Sequence, residues 1–165
     1  MSHFEDLSDY TYHNSAAYRA GTKNIGWLAR GHAFERARPT EDVLQKVWDY
    51  CTVSVAQMRG VHDCDFCPPG EWYVAERNGQ KLLLGTSEIR VFAHDGTIYA
   101  APTLLYHYML VHHYKPPDEF LRALSAGPRP PNPEYIQRLE RLGLEWNMTA
   151  TIAKGTKRFR FNLNR

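Results

Sequence analysis

The sequence predicts an α+β fold: an antiparallel β meander with several packed helices, forming a single compact domain over residues 1–165. Three observations lead to it. Two turn pairs, Asn78-Gly79 and Asp95-Gly96, are each flanked by short apolar runs, and such pairs favour the positive φ that tight hairpins need. Several later segments repeat apolar residues at helical spacing behind capping residues. Hydrophobic residues make up 43% of 165 positions, enough for one sizeable core and not for two.

Residues 1–24 are polar and rich in Tyr, Ser and Asn, and are expected to form a packed but mostly irregular arm. Ile25-Gly26-Trp27-Leu28 reads as a short strand. Pro39-Thr40-Glu41-Asp42 then opens a helix with Thr40 as N-cap and acids in its first turn, where they complement the helix dipole. Leu44, Val47, Trp48 and Cys51 share one face of that helix.

From Val53 the pattern loosens, and residues 61–67 read as an extended piece entering a turn closed by Pro68-Pro69-Gly70. Trp72–Ala75 and Lys81–Leu84 form the arms of a first hairpin, and Ile89–Phe92 and Thr97–Ala100 those of a second. Pro102 suits the first position of a helix running to about Tyr114, because the amide it lacks would have no helical partner there. Pro116-Pro117 stops that helix.

Asp118–Leu124 is expected to form a short helix with Phe120, Leu121 and Leu124 inward. After the connector 127–131, Asn132-Pro133-Glu134 caps and opens another, with Ile136, Leu139 and Leu142 on one face and Gly143 at its C-terminal end. Phe159, Phe161 and Leu163 alternate with Arg158, Arg160 and Asn162, which reads as a terminal hairpin.

Charged residues at 23% and aromatics at 13% exclude the composition of a disordered chain. No apolar run is long enough to cross a membrane, and the start Met1-Ser2-His3-Phe4-Glu5-Asp6 lacks the pattern of a secretory signal, so a cytoplasmic location is expected. The net charge of +2 is concentrated: Lys154, Lys157, Arg158, Arg160 and Arg165 make the last segment +5 and leave the rest at −3. Strict alternation puts those cations opposite Phe159 and Phe161, as in an amphipathic edge strand. Nucleic-acid binding through this strip is therefore the weakest functional reading.

Three cysteines are too few for a disulfide framework, and clustered thiols in a reducing compartment point to a metal or to reactivity. His62 and Cys64, two apart in an extended segment, can face one point, and Cys67 completes a C-x2-C clasp. Thiolate and imidazole donors indicate zinc in a closed four-donor shell. Cys51 is taken as the fourth donor, giving Cys51, His62, Cys64 and Cys67. If Cys51 is instead core, the fourth donor is His32, His107, His112 or His113, or the position is open and holds water. Free thiols or a redox dithiol are the competing readings of the C-x2-C pair, although the flanking Asp63 and Asp65 oppose the lowered thiol pKa that redox work needs.

The segment 102–114 carries Tyr106, His107, Tyr108, His112, His113 and Tyr114. His107 and His112 are five apart, so they are not expected to share a helical face. This set reads as half-buried tyrosines and histidines that hydrogen-bond neighbouring loops. Glu88 and Arg90 alternate along a strand as an ordinary surface pair. No Ser-His-Asp set, phosphate loop or dinucleotide fingerprint supports a named reaction.

The segments Gly26-Trp27-Leu28, Arg59-Gly60-Val61-His62-Asp63-Cys64-Asp65-Phe66-Cys67, Glu88-Ile89-Arg90-Val91 and Tyr99-Ala100-Ala101-Pro102, continuing through His107-Tyr108, His113-Tyr114 and Pro116-Pro117-Asp118-Glu119-Phe120, together resemble a family of small uncharacterised bacterial proteins, a domain of unknown function. The resemblance spans about two thirds of the chain. It implies a bacterial cytosolic origin and transfers no activity. The leading functional expectation is a zinc-stabilised binding or interaction module with a protein partner, more a non-enzyme than an enzyme. A metal-dependent hydrolase or lyase with an open zinc position is the alternative.

Overall fold

The structure is a computed structural model and describes residues 2–70 and 73–149. Its elements run α1 (Ala16–Arg19), β1 (Thr22–Asn24), α2 (Glu41–Cys51), β2 (Val53–Val55), β3 (Val74–Arg77), β4 (Gln80–Leu83), β5 (Glu88–Phe92), β6 (Ile98–Pro102), α3 (Leu105–His112), α4 (Asp118–Ala126), α5 (Pro133–Arg141) and β7 (Trp146–Met148). The fold is α+β in a single compact domain. The expected terminal hairpin, its basic strip and Trp72 lie outside the described residues.

Five strands make the main sheet in the order β1-β6-β5-β2-β7, and β3-β4 form a separate two-stranded sheet. The two expected hairpins therefore belong to different sheets. In the first, Asn78 and Gly79 both have positive φ (50° and 75°), as a two-residue turn requires. In the second, β5 and β6 pair antiparallel from Glu88↔Pro102 to Phe92↔Ile98. β1 lies parallel to β6, and β2 sits between β5 and β7, antiparallel to both.

Local chemistry explains where the elements fall. Thr40 Oγ1 accepts from the Val43 amide at 3.3 Å, so α2 begins where the cap predicts. Asn132 likewise accepts from the Glu134 amide at 2.9 Å and opens α5 behind Pro133. The expected strand at Ile25–Leu28 is instead β1, three residues earlier. Gly26, at φ +67°, breaks the extended run, and a Cβ there would lie 2.8 Å from Leu105 Cδ1. Only glycine lets this turn pass so close to α3. Pro102 closes β6 opposite Glu88 and does not open a helix, which starts at Leu105. Its set φ and missing amide suit a strand end as well as a helix start.

The N-terminal arm is irregular except for α1 and, at its end, β1, yet it is tied down along its length. Tyr10 N donates to Thr22 O, Asn24 N to Ser8 O, Leu7 N to Asn24 O and Phe4 N to Trp27 O, so the arm covers the β1 edge of the sheet. Asp6 accepts from the Gly26 amide and from the Tyr114 hydroxyl, each at 2.8 Å. Burial raises the Asp6 carboxyl pKa, opposed by those two hydrogen bonds.

All five residues of β5 and of β6 are buried. Glu88 and Arg90 are thus not a surface pair: they are 1% and 0% exposed and meet at 2.6 Å. Tyr10 from the arm donates to both Glu88 carboxylate oxygens, at 2.8 and 2.9 Å. The Arg90 guanidinium lies 4.9 Å from the Tyr10 ring centre and 5.7 Å from that of Tyr18. On the same sheet Tyr135 from α5 donates to Arg90 O at 2.9 Å.

Candidate metal centre

The C-x2-C segment is held from three sides before its sulfurs are considered. His62 N donates to Gly85 O at 2.8 Å, and the close pass exists because Gly85 has no side chain: a Cβ there would lie 2.6 Å from His62 O. Arg30 Nη2 donates to Asp65 O at 2.7 Å, and the Arg30 amide donates to Asp65 Oδ2 at 3.3 Å. Phe66 packs its ring against those of Phe34, Tyr108 and His112, with centroids 5.5, 6.3 and 5.3 Å away. Between these anchors Cys67 N donates to Cys64 O at 3.3 Å, a turn that brings the two cysteines to one side.

Helix α3 supplies the opposite wall. Its core side packs on α2, with Trp48 and Tyr106 edge to face at 5.2 Å. His107 and His112, near its two ends, turn their rings toward the cysteine loop. His112 Nε2 lies 3.3 Å from Cys64 Sγ, 3.4 Å from Cys67 Sγ and 3.2 Å from His107 Nε2. His107 Nε2 lies 3.4 Å from Cys67 Sγ. One donor atom from each of Cys64, Cys67, His107 and His112 lies within 4.8 Å of every other, so the four could hold a metal ion.

His107 and His112 were not expected to share a helical face, yet their Nε2 atoms lie 3.2 Å apart. Residues five apart on a helix point about 140° apart at the backbone. An imidazole, however, carries its outer nitrogen well beyond Cβ, so two rings can bend around the cylinder to a common point.

Electrostatics at the four donors follow from burial. Cys64 is buried, which pushes its thiol pKa up to about 11. Burial, and then the neighbouring His112, take His107 down to about 4. His112 is lowered as well, first by burial and then by Arg36 and His113. Both imidazoles are therefore neutral near pH 7, the state that ligates metals.

The other residues singled out in the sequence lie elsewhere. Cys51 is fully buried on the apolar face of α2, its Sγ 3.7 Å from Thr103 O, and burial raises its thiol pKa steeply. His62 places Nε2 3.4 Å from the Tyr12 hydroxyl, and burial lowers its pKa. His32 stacks on His3 with ring centres 3.6 Å apart. His113 caps α3 in the left-handed region, with φ 56°. His107 and His112 were not read as a pair, although a partial signal for them was present: Cys64-x2-Cys67 and His107-x4-His112 each have the spacing within the pair of two-cysteine, two-histidine zinc sites, while the gap between the pairs is far longer than the usual one of about 12–15 residues.

A family model described as a domain of unknown function (DUF7919) matches residues 2–125, a span that includes all four donors. No curated protein and no solved structure matches the chain. Among the described residues, no helix is long and apolar enough to cross a membrane.

Proposed function

We propose that the chain, which belongs to the domain-of-unknown-function family DUF7919, is a zinc-stabilised binding or interaction module whose ion is held by Cys64, Cys67, His107 and His112. One observation carries this reading, the set of distances between the donors. A tetrahedral zinc with Zn–S of about 2.3 Å and Zn–N of about 2.0–2.1 Å has N···N edges of about 3.4 Å and S···N edges of about 3.5 Å. The corresponding separations here are 3.2 Å for N···N and 3.3–3.4 Å for three S···N pairs.

The same distances favour a mononuclear ion over a two-iron cluster. A cluster with thiolates on one iron and imidazoles on the other holds sulfur and nitrogen on opposite ends, further apart than 3.4 Å. Zinc also suits a mixed sulfur and nitrogen tetrahedron better than the hard cations that prefer oxygen. Four protein donors complete the shell and leave no position for water or substrate, so this geometry favours a structural ion over hydrolase or lyase chemistry.

The ion would staple the 61–70 loop to α3. On that helix Leu110 and Val111 are 46% and 51% exposed, apolar surface beside the metal ligands that supports a protein partner. Thiolate ligands fit a reducing compartment, in keeping with a cytoplasmic location.

Metal analysis of purified chain tests the reading. Wild type is expected to carry about one zinc per chain, and Cys67→Ser and His107→Ala each to lose most of it. Metal-free wild type, or full zinc in both variants, would overturn it.

A further inference from the structure

The four donors come from two elements, the loop at 64–67 and helix α3, and the chain at 30–37 is bonded to both. At its start Arg30 Nη2 donates to Asp65 O at 2.7 Å and the Arg30 amide to Asp65 Oδ2 at 3.3 Å, so this grip falls between the two cysteines. At its end Ala37 N donates to His113 O and Lys115 N to Glu35 O, each at 2.9 Å, and Arg36 bridges antiparallel to Tyr114. Those bonds begin one residue beyond His112. Midway, the half-buried Phe34 sets its ring edge to face against Phe66 of the loop at 5.5 Å and against Tyr114 at 5.9 Å. The Arg36 guanidinium lies 4.7 Å from the centre of the Phe34 ring.

Such a segment bears on metal affinity. A shell whose donors sit on two elements is preorganised only as far as those elements are held together without the ion. Phe66 reaches α3 directly, its ring 5.3 Å from that of His112, but the same ring also leans on Phe34. Loosening 30–37 therefore frees the loop at Asp65 and Phe66 together, and the ion must then order the sulfurs against the histidines at a cost in affinity.

We infer that 30–37 is a strap that sets the affinity of the metal centre, with Arg30 and Phe34 as positioning residues that hold the cysteine loop against the C-terminal end of α3. The inference rests on the zinc reading and goes beyond it, because the four ligands alone require no third element. Coupling of this kind is reciprocal. A strap that tightens the hold on the ion is itself tightened when the ion binds.

Zinc affinity, measured by competition with a chelator, and amide hydrogen exchange of the full chain test the assignment. Phe34→Ala is expected to bind zinc about 10-fold more weakly and Arg30→Ala about 5-fold, while Arg30→Lys, which keeps one donor for Asp65 O, recovers most of the loss. In the wild type, zinc should slow exchange at the Ala37 and Lys115 amides about 10-fold and leave unchanged that of Leu144, bonded to Leu139 O at the end of α5. A merely structural role would instead lower the thermal midpoint by the same amount with zinc and with chelator, and leave both affinity and the zinc dependence of exchange unmoved. Should Phe34→Ala fail to fold, Arg30, exposed at the surface, carries the test. Zinc affinity unchanged in Arg30→Ala, or exchange at Ala37 and Lys115 indifferent to zinc, overturns the strap and leaves the zinc reading standing. A wild-type chain that takes up no zinc overturns that reading and the strap with it.

Discussion

His112 is the donor at which the metal reading is most exposed, because its Nε2 lies within 3.4 Å of all three other donor atoms. His112→Ala removes that nitrogen and one wall of the tetrahedron. Loss of a partner in the outer shell already costs up to about a hundredfold in affinity, so about a hundredfold is a conservative figure for a direct ligand. Free zinc at about a thousand times Kd stabilises the fold by about 4.1 kcal/mol, and at about ten times Kd by about 1.4 kcal/mol. The variant therefore forfeits about 2.7 kcal/mol of metal-linked stability, which for a chain of this length is about 5–11 °C in Tm. In excess chelator neither protein carries zinc, and the half-buried ring is worth only about 1 kcal/mol of packing. Scanning calorimetry of both proteins, with zinc and with chelator, gives the four values. A variant whose deficit is the same in both conditions would refute the reasoning, because His112 would then contribute packing and no ligation.

Other outcomes follow from individual contacts. Glu88→Met leaves the fully buried Arg90 without its counter-charge and should cost about 3–5 kcal/mol in urea unfolding, whereas Glu88→Met with Arg90→Met should recover most of that; equal losses in both would mean the pair is not coupled. Gly85→Ala puts a Cβ 2.6 Å from His62 O at φ +85° and should cost about 2–4 kcal/mol and weaken zinc binding. Gly31→Ala, at φ +92° with nothing within 4 Å, should cost only about 1–2 kcal/mol and leave zinc affinity alone; identical effects from the two would refute the role given to the Gly85 contact. Hydrogen peroxide should oxidise Cys64 and Cys67 to one disulfide, with peroxide reduced to water and zinc released, while the buried Cys51 keeps its thiol. Mass spectrometry showing Cys51 oxidised first would contradict that order.

What could be read from the sequence is what neighbouring residues decide among themselves. Thr40 and Asn132 cap α2 and α5 through their own side chains, and Asn78-Gly79 bends the chain through its own φ preferences. β2 and β7 were not legible for the opposite reason. Each is three residues long, too short to show a period, and each is a strand because of what lies beside it, β2 for β7 and both β5 and β7 for β2. Glu88 and Arg90 were misread for a related cause. Their alternation signals a face distinct from that of Ile89 and Val91, but not whether the face meets water. Tyr10, far upstream in the chain, supplies the hydrogen bonds that let the pair be buried.

The metal centre divides along the same line. Cys64 and Cys67 announce themselves because a C-x2-C turn is a local device. The histidines come from a helix that starts some 40 residues later, and their convergence depends on where α3 lies against the loop. That placement is set by contacts outside the donor set: Gly26 passing close to Leu105, Gly85 admitting the His62 carbonyl, and Arg30 gripping Asp65. An extended His62–Cys64 pair was expected to share a target through strand alternation. The segment is not paired as a strand, however, and His62 turns to Tyr12 while Cys64 turns to His112. Alternation holds only where a ladder enforces the pleat, and in this loop the anchors on either side decide the direction of each side chain. The same reasoning makes the loop the part of the fold with most to gain from an ion, since its sulfurs are held by turns and single contacts and not by a sheet.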